Sequence, residues 1–143
     1  MTIFAETAAG SNTSNISSAA RWSGRVLSGL VILFLLFDGA IKLVPIQPVL
    51  DSLRELGYPA TESFARFLGV LTLLCTALYA WPRTALLGAV LLTGIMGGAI
   101  ASHLRLGDPV FSHTLFGVYL GLLFWGGLWL RDERVRRVMP MLA

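Results

Sequence analysis

Four apolar stretches constrain this chain more than any other feature of it. They fall at residues 26–44, 64–81, 84–104 and 114–130, and each approaches the roughly 20 residues that a helix needs to cross the hydrocarbon core of a bilayer. The third carries no charge before His103, the fourth none at all, and the first only Asp38 and Lys42. The second is apolar from Phe67 onward, so Arg66 must reach back toward the headgroups. In lipid every backbone N–H and C=O has to be satisfied inside the segment, which for runs of this length means helices. The composition agrees: 55% of residues are hydrophobic and only 13% charged. The expected fold class is all-α, an integral membrane four-helix bundle running up-down-up-down.

The linkers refine that picture. Pro82 and Arg83 are nearly all that separates the second and third runs, so those helices form a tight antiparallel hairpin. Between the first and second, Val49, Leu53 and Leu56 recur at i, i+4 and i+7, while Asp51, Ser52, Arg54 and Glu55 fall elsewhere. That pattern predicts a short amphipathic helix lying in the interface, with Pro48 in its first turn and Gly57 as its C-terminal cap. Thr61 followed by Glu62 reads as the N-terminal cap of the next helix. The bundle domain is expected over 22–140. Residues 1–21, rich in Ser, Thr, Ala and Asn, read as a disordered polar tail, and the first 20 lack the basic stretch and apolar core of a signal peptide.

The formal charge is +3, but the basic residues are scattered between apolar runs and form no basic and aromatic surface for nucleic acid. They read as topology signals. Arg21, Arg25, Arg83, Arg131, Arg134, Arg136 and Arg137 lie on the side of the termini, seven against the four of Lys42, Arg54, Arg66 and Arg105. The positive-inside rule then predicts a cell-membrane protein with both termini cytoplasmic. Trp22, Trp81 and Trp129 fall at that same face, as an interfacial aromatic belt requires. The single cysteine, Cys75, sits in an apolar helix and reads as a small packing residue.

Small residues four apart let helices approach closely in lipid. Gly94, Gly98 and Ser102 make one such row, beside Thr93, Gly97 and Ala101, and Gly117 with Gly121 makes another on the fourth helix. These rows predict packing of the third helix against the fourth, or else an interface with a second copy or a partner subunit.

Groups capable of chemistry gather at the non-cytoplasmic ends: Asp38 and Lys42, Glu62 and Arg66, His103 and Arg105, His113, and Asp108 in the intervening loop. Ionisable groups at membrane depth are costly, about 2.5 kcal/mol or more each, and so mark candidate sites. Asp38 and Lys42 share a helix face at i, i+4 and can neutralise one another. His103, Asp108 and His113 are metal-ligand types, but no ligand spacing matches a metal signature, and both histidines at one edge are poorly placed for opposite axial positions on a haem. No nucleophile triad, phosphate loop or paired-carboxylate motif occurs.

Read as one string, residues 26–140 resemble the DoxX-like membrane protein family. The resemblance rests on Gly39-Ala40-Ile41-Lys42-Leu43, Leu56-Gly57-Tyr58-Pro59, Pro82-Arg83-Thr84, Leu92-Thr93-Gly94, Gly97-Gly98-Ala99, His103-Leu104-Arg105, Asp108-Pro109 and Leu130-Arg131-Asp132. It implies a four-helix membrane bundle and carries over no catalytic residue. The family takes its name from the small subunit of a thiosulfate:quinone oxidoreductase. Many broader relatives place a glutamate in the second helix near the position of Thr72, and this chain has none there. The expected role is a small accessory membrane subunit of a quinone-linked redox system, with Asp38, Lys42, Arg66, His103 and Arg105 lining one polar pocket and a quinone or other lipophilic molecule as ligand. The alternative is a non-catalytic assembly or interaction protein. A transporter or proton path ranks lower, because the second, third and fourth helices lack charges in their middle thirds. The expected partners are membrane lipids, with a second copy of the chain or a partner membrane subunit beside them.

Overall fold

The computed structural model describes residues 16–139. Within it the chain forms helices α1 (Ser18–Leu43), α2 (Gln47–Glu55), α3 (Glu62–Ala80), α4 (Ala85–Leu106), a π-helical turn (Val110–Thr114), α5 (Phe116–Arg131) and α6 (Glu133–Val138). Four segments, α1, α3, α4 and the π turn continued into α5, are long and apolar enough to cross a membrane. They pack in a ring in which α1 lies against α3 and α5, and α4 against the same two. This is the expected up-down-up-down bundle.

The ends of the elements follow local chemistry. Ser17 caps α1 by accepting from the Ala20 amide at 3.2 Å, and Thr61 caps α3 by accepting from Phe64 N at 3.3 Å. Pro occupies the first turn of α2. Gly57 and Gly107 stop α2 and α4 with φ of 74° and 71°, a left-handed backbone that side chains with a Cβ resist.

Boundaries differ from the sequence expectation in three places. Helix α1 begins at Ser18 rather than residue 26, because a helix that has left the hydrocarbon can continue through the headgroup layer with polar residues. Residues 18–21 therefore belong to α1 and not to a tail, while residues 1–15 lie outside the described residues. The stretch expected as loop between residues 104 and 114 holds the π turn, which runs on into Thr114. A sixth helix follows Asp132, whose carboxylate accepts from Arg134 N at 2.9 Å, and it buries Val135 against the core.

The buried core runs through Val31 and Leu35 of α1, Cys75 and Tyr79 of α3, Ala85, Ala89 and Leu92 of α4, and Phe124 and Leu128 of α5. Between them the helices meet on glycines. A Cβ on Gly24 would lie 2.8 Å from Gly127 O, and one on Gly127 would lie 3.0 Å from Ser28 N, which sets the α1–α5 approach. Gly39 and Gly69 do the same for α1 and α3, where a Cβ on Gly69 would meet Gly39 O at 2.8 Å. In the α3–α4 hairpin a Cβ on Gly88 would fall 2.2 Å from Tyr79 N, and at α4–α5 one on Gly117 would lie 2.9 Å from Ile100 Cγ1 and 3.2 Å from Met96 O. Each of the four interfaces thus rests on a close backbone approach, the means by which helices associate without a hydrophobic drive.

The glycine rows of the sequence analysis fare differently. Gly117 packs as expected, but nothing among the described residues lies within 4 Å of a Cβ on Gly94, Gly97, Gly98 or Gly121. The first three are exposed on α4, so they do not join α4 to α5. Spacing alone marks a face that could approach another helix. It does not tell which face the fold turns inward.

Candidate functional site

The two ends of the bundle have different chemistry. At the end holding the start of α1, the α3–α4 hairpin and the end of α5, a buried network closes the core. Tyr79 OH donates to Phe124 O at 2.8 Å and stands 2.9 Å from Ser28 Oγ, while Arg131 Nη2 donates to Tyr79 O at 3.2 Å. Since the phenol has one proton and gives it to the carbonyl, Ser28 is the donor to Tyr79. The Arg131 guanidinium lies 5.2 Å from the Tyr79 ring centre and that of Arg136 lies 4.2 Å from the Trp129 ring centre. This cross-helix lock escaped the sequence reading, because Ser28 and Tyr79 are ordinary residues until their helices are placed side by side.

The other end carries the groups expected to converge, and they separate into two sets. On the α1–α3 side, Lys42 pairs with Asp38 on the same helix, and Arg66 Nη2 pairs with Glu62 at 2.8 Å. Arg66 Nε also donates to Leu43 O at 3.3 Å, tying α3 to the end of α1. These are intrahelical i, i+4 pairs that neutralise themselves.

The second set surrounds a cavity of about 380 Å³ lined by Ser52, Glu55, Leu56, His103, Leu106, Asp108 and His113. Its construction is local. Gly107 in the left-handed region turns the chain back on α4, so that Asp108 N donates to His103 O at 3.2 Å and the Asp108 carboxylate meets His103 Nδ1 at 2.7 Å. The π turn then begins, with Leu115 N bonded to Val110 O at 2.8 Å. The wider i to i+5 turn is a form that recurs at functional sites. It sets the His113 ring 5.6 Å from that of His103, centre to centre. Thr114, on the same turn, is buried with its hydroxyl unpaired among the described residues. His113 Nδ1 is engaged by Ser112 Oγ at 2.7 Å.

Helix α2 forms the remaining wall and is strapped to α4 at two points. Arg105 Nη2 donates to Leu56 O at 2.6 Å. Tyr58 OH lies 2.7 Å from Ser102 Oγ, which gives its own proton to Gly98 O at 2.8 Å, so Tyr58 is the donor. Of the expected pocket residues, His103, Asp108 and His113 line the cavity. Asp38, Lys42, Glu62, Arg66 and Arg105 are not in its lining. The single convergent pocket built from Asp38, Lys42, Arg66, His103 and Arg105 is thereby corrected: Asp38, Lys42 and Arg66 belong to the α1–α3 side of the ring, whereas His103 and Arg105 are on α4, where Arg105 braces the chamber wall through Leu56 O without lining it. Ser52, Glu55, Leu56 and Leu106 are the wall residues the sequence did not single out for it. No group of three or more His, Cys, Asp or Glu placed to hold a metal ion occurs among the described residues.

Four apolar helices in a ring, with a small polar chamber at one end, define a multi-pass membrane protein. The chain belongs to the DoxX-like family, whose sequence model matches residues 26–127 and so takes in the whole lining of the chamber. Arg131, Asp132 and α6 lie beyond that match. Comparison with curated proteins and with solved structures produced no match.

Proposed function

We propose that the protein is a small accessory membrane subunit of a quinone-linked redox system, which holds the polar head of a lipophilic ring compound in the chamber between α2, α4 and the π turn. The observation that carries this reading is the pair of imidazoles 5.6 Å apart, one of them oriented by a carboxylate, beside the apolar Leu56 and Leu106. Ligand sites of this kind combine apolar walls with a few placed polar groups. In the proposed arrangement the protein lies in the cell membrane with the chamber outside and both termini cytoplasmic, which the basic-residue asymmetry and the tryptophans support.

One observation favours a second reading, a non-catalytic assembly protein. Gly94, Gly97 and Gly98 leave an exposed strip on α4 that nothing among the described residues covers.

The two readings separate in one experiment. Wild type, His103→Ala, and the double variant Gly94→Leu with Gly98→Leu are purified in mild detergent, and the copurifying proteins, copurifying lipophilic molecules and quinone-linked respiration are measured. The redox reading expects His103→Ala to lose the lipophilic molecule and respiration while partner recovery stays intact. The assembly reading expects only the glycine variant to lose partners. A His103→Ala protein that matches wild type throughout would sink the redox role.

A further inference from the structure

Each polar group in the chamber lining has a definite hydrogen-bonding capacity, and the lining as a whole is short of donors. Asp108 as a carboxylate only accepts, so the 2.7 Å contact with His103 Nδ1 requires the ring proton to sit on Nδ1. In the neutral ring Nε2 is then a lone pair, an acceptor. Glu55 is another carboxylate in the lining. Ser52 gives its hydroxyl proton to Pro48 O at 2.9 Å and has only lone pairs left. Arg105, the nearby cation, is bound to Leu56 O and is not in the lining. The one lining side chain that can still donate is His113, whose Nε2 carries a proton when Ser112 donates to its Nδ1.

From this donor deficit we infer that the chamber selects a hydroxyl-bearing ring, the reduced hydroquinone form, over the corresponding quinone. The inference rests on the proposed quinone-linked reading and deepens it. A phenolic hydroxyl donates to His103 Nε2 or Glu55 and accepts from His113, so both imidazoles are served by one group. A quinone carbonyl accepts only. It satisfies His113 and leaves the lone pair of His103 and the carboxylates facing another acceptor. Asp108 is the positioning residue, since it sets which His103 nitrogen carries the proton. His103 and Asp108 are half-buried while Glu55 and His113 are exposed, so water serves part of their need. The extra hydrogen bond that a hydroxyl makes is worth about threefold or more in affinity rather than the full penalty of a buried unpaired acceptor.

The test uses the full chain in phosphatidylcholine nanodiscs under anaerobic conditions. Binding of a decyl-chain benzohydroquinone, of the matching benzoquinone and of decylammonium is measured by the change in tryptophan fluorescence and by competition. The hydroquinone is expected to bind about threefold or more tighter than the quinone. In Asp108→Asn the carboxamide can donate to His103 Nδ1 and move the ring proton to Nε2, so the preference should shrink or invert with the quinone gaining affinity. A merely structural role for Asp108 would weaken both forms equally. Equal wild-type binding of quinone and hydroquinone overturns the inference and leaves the ligand-binding reading standing. Failure of both to bind removes that reading as well. Decylammonium binding tighter than the hydroquinone would assign the donor-poor chamber to a cationic head and overturn the inference.

Discussion

Glycine illustrates how little a residue's identity says about its role until its neighbours are known. Gly88 and Gly94 both sit within α4, yet a Cβ on the first would strike Tyr79 N at 2.2 Å and one on the second would meet nothing within 4 Å among the described residues. Backbone cannot yield as the end of a side chain can, so Gly88→Ala should force the α3–α4 hairpin apart. A loss of roughly 2 kcal/mol or more of stability is expected, in the upper part of the usual overpacking range. Gly94→Ala should leave stability within about 0.5 kcal/mol of wild type or raise it slightly, because alanine is the better helix former. Thermal unfolding of both variants in one detergent measures the contrast. Equal losses at the two positions would mean that α4 does not present these faces as described.

Within a single helix, charge spacing is readable directly. Asp38 and Lys42 were expected to pair at i, i+4, and they do, each with its side chain about a quarter to a third exposed. Glu62 and Arg66 repeat the arrangement on α3. Asp38→Asn should lower detergent stability by leaving Lys42 without its counter-charge, and the further change Lys42→Met should recover part of the loss. The double-mutant cycle should show a coupling of about 0.5 kcal/mol or more, at or above the level of ordinary helix-surface pairs. Strictly additive losses would show that the two charges do not interact. The elements that the sequence reading did not anticipate, the π turn and α6, are short. Neither has the length over which hydrophobic periodicity becomes a signal.

At the scale of the molecule, the end with the α3–α4 hairpin is locked by Tyr79, Ser28 and Arg131, while the other end carries the chamber, which is open to its surroundings along Ser52, Glu55, Leu106 and His113. The proposed orientation puts the chamber outside the cell. After replacement of Cys75 by Ala, a membrane-impermeant thiol reagent on intact cells should label a cysteine placed at Ser112 or Ser52 and should not label one at Ser18. All three positions are exposed in the structure, so reactivity reports sidedness. Labelling at Ser18 alone would invert the orientation.

Hydropathy, spacing and capping residues were enough to specify the number of spanning helices, their up-down order, the amphipathic α2 with Pro48 and Gly57 at its ends, and the intrahelical pair of Asp38 with Lys42. All of these are set by neighbours within a few positions along the chain or by the thickness of a bilayer. Apart from Gly117, which its spacing had marked, the glycines that carry the interfaces were decided only by tertiary structure, since helix rotation about its own axis selects Gly24, Gly39, Gly69, Gly88 and Gly127 and turns Gly94, Gly97 and Gly98 outward. The site divides in the same way. His103, Asp108 and His113 stood out as ionisable groups at a membrane edge, whereas their meeting with Glu55 and Ser52 of α2 depends on the turn at Gly107, the π turn and the straps from Arg105 and Tyr58. Membrane depth is a one-dimensional property that hydropathy encodes. Position around the ring of helices is lateral, and it is fixed by packing between segments far apart in the chain.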